Sequence, residues 1–125
     1  MLILIADDDN EDREIFREAI KEIDSSINCL ELRNGKETLD FLTRELVVLP
    51  NYVFLDINMP ILDGKSCLTK MKSNPALKSI PVIMYSTSFN PEEIQECYRM
   101  GAEKFITKPG SFIDLLASLQ PVLKD

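Results

Sequence analysis

The 125 residues include 14 basic and 21 acidic side chains, a formal charge of −7, with 45% hydrophobic residues and no tryptophan. That is enough apolar material for one core and none to spare, so a single domain over 1–125 without an output domain is expected. The acidic balance, with no basic stripe, argues against nucleic acid, and the longest apolar run, residues 1–6, is far short of the roughly 20 residues that span a membrane.

Short apolar runs alternate with amphipathic stretches about every 25 residues. Residues 2–6 read as a strand, followed by helical spacing of Ile15, Phe16, Ala19, Ile20 and Ile23. A second strand over 28–32 precedes a helix face of Leu39, Leu42 and Leu46. The third strand, 52–57, leads into a weaker helix over 64–73 carried by Cys67, Leu68 and Met71. The fourth, 81–86, is followed by Ile94, Cys97, Tyr98 and Gly101, and the fifth, 104–107, by Phe112, Leu115, Leu116 and Leu119. Pro121 is expected to end or kink the last helix.

Such alternation predicts a parallel sheet with helices on both faces. Residues 2–6, 52–55 and 82–85 are continuously apolar, as strands buried on both sides must be. The runs 28–32 and 104–107 carry Glu31, Lys104 and Thr107 and suit the edges. The order 2-1-3-4-5 satisfies both observations, an α/β, flavodoxin-like (βα)5 doubly wound fold with its functional crevice at the carboxyl ends of the strands.

At those ends stand Asp7-Asp8-Asp9, Asp56, Ser86-Thr87-Ser88 and Lys108. Taken singly, Asp9 reads as a helix N-cap, Asp56 as a turn former, the hydroxyls as loop residues and Lys108 as a solvated lysine. Together they are harder to explain that way, because unrelated surface residues have no reason to collect at one edge. Converging carboxylates raise one another's pKa unless a cation is shared, and an all-oxygen set suits Mg²⁺ rather than zinc. A carboxylate is also a nucleophile that can form an aspartyl phosphate. With no histidine in the chain, any phosphohistidine must come from a partner. The three cysteines, Cys29, Cys67 and Cys97, form no CxxC pair and fit reduced thiols; no signal peptide is legible, and a cytoplasmic location is expected.

Five segments in order resemble the response-regulator receiver domain over essentially the whole chain. They are Ile3-Leu4-Ile5-Ala6-Asp7-Asp8-Asp9, Asn34-Gly35-Lys36-Glu37-Thr38-Leu39, and Phe54-Leu55-Asp56-Ile57-Asn58-Met59-Pro60 continuing through Asp63-Gly64. Pro81-Val82-Ile83-Met84-Tyr85-Ser86-Thr87-Ser88 and Gly101-Ala102 with Lys108-Pro109 complete the set. The resemblance implies a phosphoacceptor of a two-component or phosphorelay system. Asp56 matches the acceptor, and Asp7, Asp8, Asp56 and the backbone carbonyl of Asn58 match the ligands of Mg²⁺ or Mn²⁺. Lys108 matches the lysine that pairs with the phosphoryl group, and Lys108–Pro109 a cis peptide. Ser86, with Thr87 as the alternative if the register slips by one, matches the switch hydroxyl, and Phe105 the switch aromatic. Asn58 and Ser88 occupy the positions that tune hydrolysis in the family. Two details depart from the common pattern: Ser rather than Thr at 86, and Gly110-Ser111 after Pro109.

The implied partners are a histidine kinase or histidine phosphotransfer protein and a downstream protein reached by docking, the chain being a monomer or weak homodimer and not an enzyme turning over a metabolite. Two other readings stay open: a receiver-like docking module that needs no phosphorylation, and a small aspartate-nucleophile phosphatase similar to the haloacid-dehalogenase group. Against the latter, that group carries its nucleophile on the first strand with a second Asp two residues on, where this chain has Asn58.

Overall fold

A computed structural model describes residues 1–45 and 47–123. In chain order the elements are β1 (Leu2–Ala6), α1 (Asn10–Ile23), β2 (Asn28–Leu32), α2 (Gly35–Leu42), β3 (Tyr52–Leu55), α3 (Gly64–Ser73), β4 (Val82–Ser86), α4 (Pro91–Arg99), β5 (Lys104–Thr107) and α5 (Phe112–Leu123). The five strands form one parallel sheet in the expected order β2-β1-β3-β4-β5, with the continuously apolar strands in the centre and the mixed ones at the edges.

Side chains alternate across the pleat, so each central strand feeds two cores. On one face Ile3, Ile5, Phe54, Ile83 and Tyr85 pack against Phe16, Ala19 and Ile20 of α1 and Leu115 and Leu119 of α5. Phe16 is the hub, its ring centroid 4.8 Å from Phe54 and 5.5 Å from Tyr85. On the other face Leu4, Ala6, Val53, Leu55, Val82 and Met84 pack against Leu42 of α2, Cys67, Leu68 and Met71 of α3, and Cys97 of α4. Both faces of β1, β3 and β4 are therefore sealed, and their polar ends are held to one edge.

Helix starts gather at that edge because each helix follows a parallel strand, and side-chain caps fix the first residues of α1 to α4. Asp9, Asn34, Asp63 and Asn90 accept backbone N–H groups of Asp12, Glu37, Ser66 and Glu92, at 2.8–3.1 Å. Asp9 is thus the cap of α1, and Asp7 and Asp8 remain for other work.

Several boundaries differ from the sequence reading. β3 stops at Leu55, where the Asp56 N–H closes the ladder on the Ala6 carbonyl at 3.0 Å and the chain turns away. β4 begins at Val82, since Pro81 has no N–H to give. Ile15 and Phe112 are exposed: the inward stripe of α1 runs through Phe16, Ala19 and Ile20, and Phe112 stands at the first position of α5. α2 ends at Leu42, and the reading of Leu46 lies outside the described residues. Pro121 neither ends α5 nor breaks its last described turn. It lies near the helix end, where a missing N–H forfeits only one bond. The three cysteines are free thiols, and burial pushes Cys29 and Cys67 up to about 12. No described helix is long and apolar enough to cross a membrane.

Candidate functional site

The carboxyl edge of the sheet brings Asp7, at the end of β1, together with Asp56, at the end of β3. Asp8 follows Asp7 at the surface, and carboxylate oxygens of all three lie within 4.8 Å of one another. Lys108, just past β5, reaches across the edge. Its Nζ lies 2.7 Å from Asp7 Oδ2, 3.0 Å from Asp56 Oδ2 and 2.8 Å from Asp12 Oδ2. Three carboxylates thus contact one ammonium, with Asp8 beside two of them, and the edge keeps an excess of negative charge.

Burial divides these acids. Asp7 is wholly buried and Asp56 nearly so, whereas Asp8 is exposed. Burial raises the Asp7 carboxyl from 3.8 to about 6, against the pull of Lys108 and of the Asp9 N–H, which donates to Asp7 Oδ1 at 3.0 Å. Repulsion from Asp56 adds only a smaller push in the same direction, so desolvation rather than crowding of charge dominates. Burial alone would lower the Lys108 pKa, but the hydrogen bond to Asp12 and the close Asp7 and Asp56 carboxylates outweigh it and raise it. The Tyr85 ring lies 5.4 Å from that ammonium, and burial takes its phenol to about 12, which leaves it neutral beside the acids.

The loop after β3 is tightly specified. The Gly64 N–H returns to the Ile57 carbonyl at 2.8 Å and the Gly35 N–H reaches the Leu62 carbonyl at 2.9 Å. Ile61 sits at φ 70° in a γ-turn closed by the Leu62 N–H on Pro60, an exposed, strained position for a β-branched residue. The same loop presents Asn58, whose backbone carbonyl accepts no backbone hydrogen bond among the described residues.

On the opposite side, Ser86 ends β4 fully buried, its Oγ accepting the Ser88 N–H at 3.5 Å, and Thr87 is exposed beyond it. The Ser86 carbonyl accepts the Lys108 N–H at 2.7 Å, which ties this strand end to the lysine's backbone. Thr107 Oγ1 donates to the Ser88 carbonyl at 2.8 Å. Phe105 is half-buried on β5, packed against the α2–α3–α4 core, and its N–H donates to the Tyr98 hydroxyl at 3.0 Å.

One expectation is corrected. The Lys108–Pro109 peptide is trans, since no cis bond occurs among the described residues. Trans is favoured by about 0.5–1 kcal/mol even before proline. With it, Lys108 already contacts three carboxylates.

Two residues escaped the sequence reading. Asp12 reads as an ordinary first-turn acid that complements the helix dipole, and only its position at the sheet edge could have singled it out. Arg13 is buried and donates from Nη1 to the Asp7 carbonyl and from Nη2 to Asn10 Oδ1, with Nε 3.5 Å from Glu31. It braces the backbone of the acidic pair. An arginine amid charged helix residues carries no sign of this.

The donor set fits a hard divalent cation. It is all oxygen, it is over-supplied with negative charge, and Asp7 Oδ2 is buried with no aligned hydrogen-bond donor although Lys108 lies 2.7 Å away. Residues 3–120 match the profile of the response regulator receiver domain. Response regulator Rcp1 of Synechocystis sp. is 30% identical over 97% of this chain and 85% of its own length. The crystal structure of its Mn²⁺-bound form superposes with a TM-score of 0.86 at 30% identity, over 97% of this chain and 90% of that one. The phosphorylated cyanobacterial phytochrome response regulator RcpA gives a TM-score of 0.88 at 29% identity, over 97% and 89%. With nearly all of its length covered by that profile and its fold shared with solved response regulators, the chain belongs to the response regulator receiver family.

Proposed function

We propose that Asp56 accepts a phosphoryl group from a partner's phosphohistidine, on a histidine kinase or histidine phosphotransfer protein, and that the resulting charge resets a protein-docking surface. The observation that supports this most is the convergence of Asp7, Asp8 and Asp56 within 4.8 Å, with the Lys108 ammonium 3.0 Å from Asp56.

Asp56 attacks phosphorus through an ionised oxygen; the new P–O bond forms as the P–N bond to the partner's imidazole breaks, and the electron pair leaves with that nitrogen. The nucleophile needs no general base, so positioning and neutralisation carry the step. Lys108 pairs with the phosphoryl oxygens. Asp7, Asp8, Asp56 and the Asn58 carbonyl would hold Mg²⁺ or Mn²⁺, which supplies further neutralisation of the phosphoryl charge. A small acyl phosphate is an equivalent donor.

Ser86, whose hydroxyl accepts the Ser88 N–H at a long 3.5 Å, turns to a phosphoryl oxygen and draws its loop inward. Phe105 then rotates into the space given up. This is a two-state packing change biased by a local charge, with Asn58 and Ser88 tuning its lifetime. The signal leaves by docking to a downstream protein in the cytoplasm, from a monomer or weak homodimer, with no metabolite turned over.

Beryllofluoride, a stable phosphoryl analogue, tests this by amide NMR. With Mg²⁺ present, the largest shifts are expected at Asp56, Ser86, Thr87, Phe105 and Lys108. Shifts of the same size without Mg²⁺, or none at residues 86–108, would overturn the reading.

A further inference from the structure

We infer that Asp12 is a positioning residue that parks the Lys108 ammonium and sets the balance between cation and phosphoryl affinity at this site. The inference rests on the acceptor role of Asp56 and goes beyond it.

Asp12 lies in the first turn of α1, its N–H held by the Asp9 cap at 3.1 Å, so its side chain starts from a fixed backbone. Its Oδ2 hydrogen-bonds Lys108 Nζ at 2.8 Å. It stands outside the trio whose oxygens converge within 4.8 Å, so its contact is with the lysine rather than with the cation ligands. An ammonium has three N–H groups, and here three carboxylates approach it: Asp7 at 2.7 Å, Asp12 at 2.8 Å and Asp56 at 3.0 Å. Lys108 donates aligned hydrogen bonds to Asp12 and Asp56 but not to Asp7 Oδ2, so a phosphoryl group arriving on Asp56 competes with Asp12 for those N–H groups.

Asp7 is not the one to release, because its side chain is 0% exposed and cannot swing away from Lys108 into water. The Asp12 side chain is 34% exposed and returns to water cheaply. It is the partner that Lys108 gives up. Until then its charge competes with the phosphoryl oxygens for the lysine, and the same charge attracts a divalent cation to the neighbouring trio. The two effects have opposite signs, which a merely structural role would not produce.

The test is titration calorimetry on wild type, Asp12→Asn and Asp12→Glu, first with Mg²⁺ and then with beryllofluoride at saturating Mg²⁺. Asp12→Asn is expected to weaken Mg²⁺ and to tighten beryllofluoride, each by about threefold to tenfold at low salt, with both differences shrinking at high salt. Asp12→Glu, which keeps the charge, stays within about twofold of wild type for both. If wild type binds beryllofluoride and Asp12→Asn moves neither affinity, or both in one direction, the role of Asp12 falls and the acceptor reading stands. If wild type binds no analogue, the acceptor reading falls and takes the role of Asp12 with it.

Discussion

Gly64→Ala is expected to cost about 3 kcal/mol and to lower the thermal midpoint by roughly 10 °C, a large effect for one methyl group. A Cβ built at Gly64 lies 2.0 Å from the Asp56 carbonyl oxygen, 2.8 Å from the Asp56 carbonyl carbon and 2.9 Å from Ile57 Cα. All three obstacles are backbone, so no rotamer change relieves them. The backbone angles of Gly64 are not in the left-handed region, so the requirement is space alone. The segment that must move carries Asp56 itself, and with it the distance to Lys108. Thermal unfolding and beryllofluoride binding should therefore worsen together. A variant within about 2 °C of wild type that still binds the analogue normally would mean that the loop yields more easily than its hydrogen bonds to Ile57 and Leu62 imply.

Asp7→Asn is expected to stabilise the metal-free protein by about 2–3 kcal/mol at pH 8 and to change it little near pH 4. The folded carboxyl titrates near 6 and an unperturbed one at 3.8, so the folded state binds this proton more tightly than the unfolded chain. The penalty of ionising it in place is absent below about 4, grows between 4 and 6, and is complete above 6. Asparagine removes the ionisation and hence the penalty. Saturating Mg²⁺ should reverse the ranking at pH 8, because binding stabilises the folded wild type by mass action and the variant has lost a ligand. For the same reason Mg²⁺ affinity of wild type should fall as pH drops below about 6, where the cation competes with a proton on Asp7. Denaturant melts at pH 4 and 8 with and without Mg²⁺ check both statements. Equal stability of the two proteins at pH 8 without metal would show that Asp7 is not strained by burial.

Much of the fold was legible because burial on both faces leaves a plain mark. The unbroken apolar runs of β1, β3 and β4 against the mixed β2 and β5 separated central strands from edges, and the flavodoxin-like order compatible with that division is the one observed. The gathering of Asp7, Asp8, Asp56, Ser86 and Lys108 at one edge follows from parallel strands all ending there. What escaped depends on three-dimensional detail that patterning does not carry. Asp12 and Arg13 look like any polar face of α1 until Lys108 and the Asp7 carbonyl are placed beside them. Ile15 and Phe112 match the apolar spacing, yet the helix rotation is set by Phe16 and Leu115, which leaves them exposed. The trans Lys108–Pro109 bond runs against the family expectation, and local sequence permits either isomer.

The most direct test of the acceptor chemistry is intact-protein mass spectrometry after incubation with acetyl phosphate, with and without Mg²⁺, on wild type and Asp56→Asn. A single phosphoryl adduct that requires Mg²⁺ and is absent from the variant is the expected result. No adduct on wild type, or an adduct of equal yield on Asp56→Asn, would contradict the assignment of Asp56 as acceptor and leave the acidic edge as part of a docking surface that works without phosphorylation.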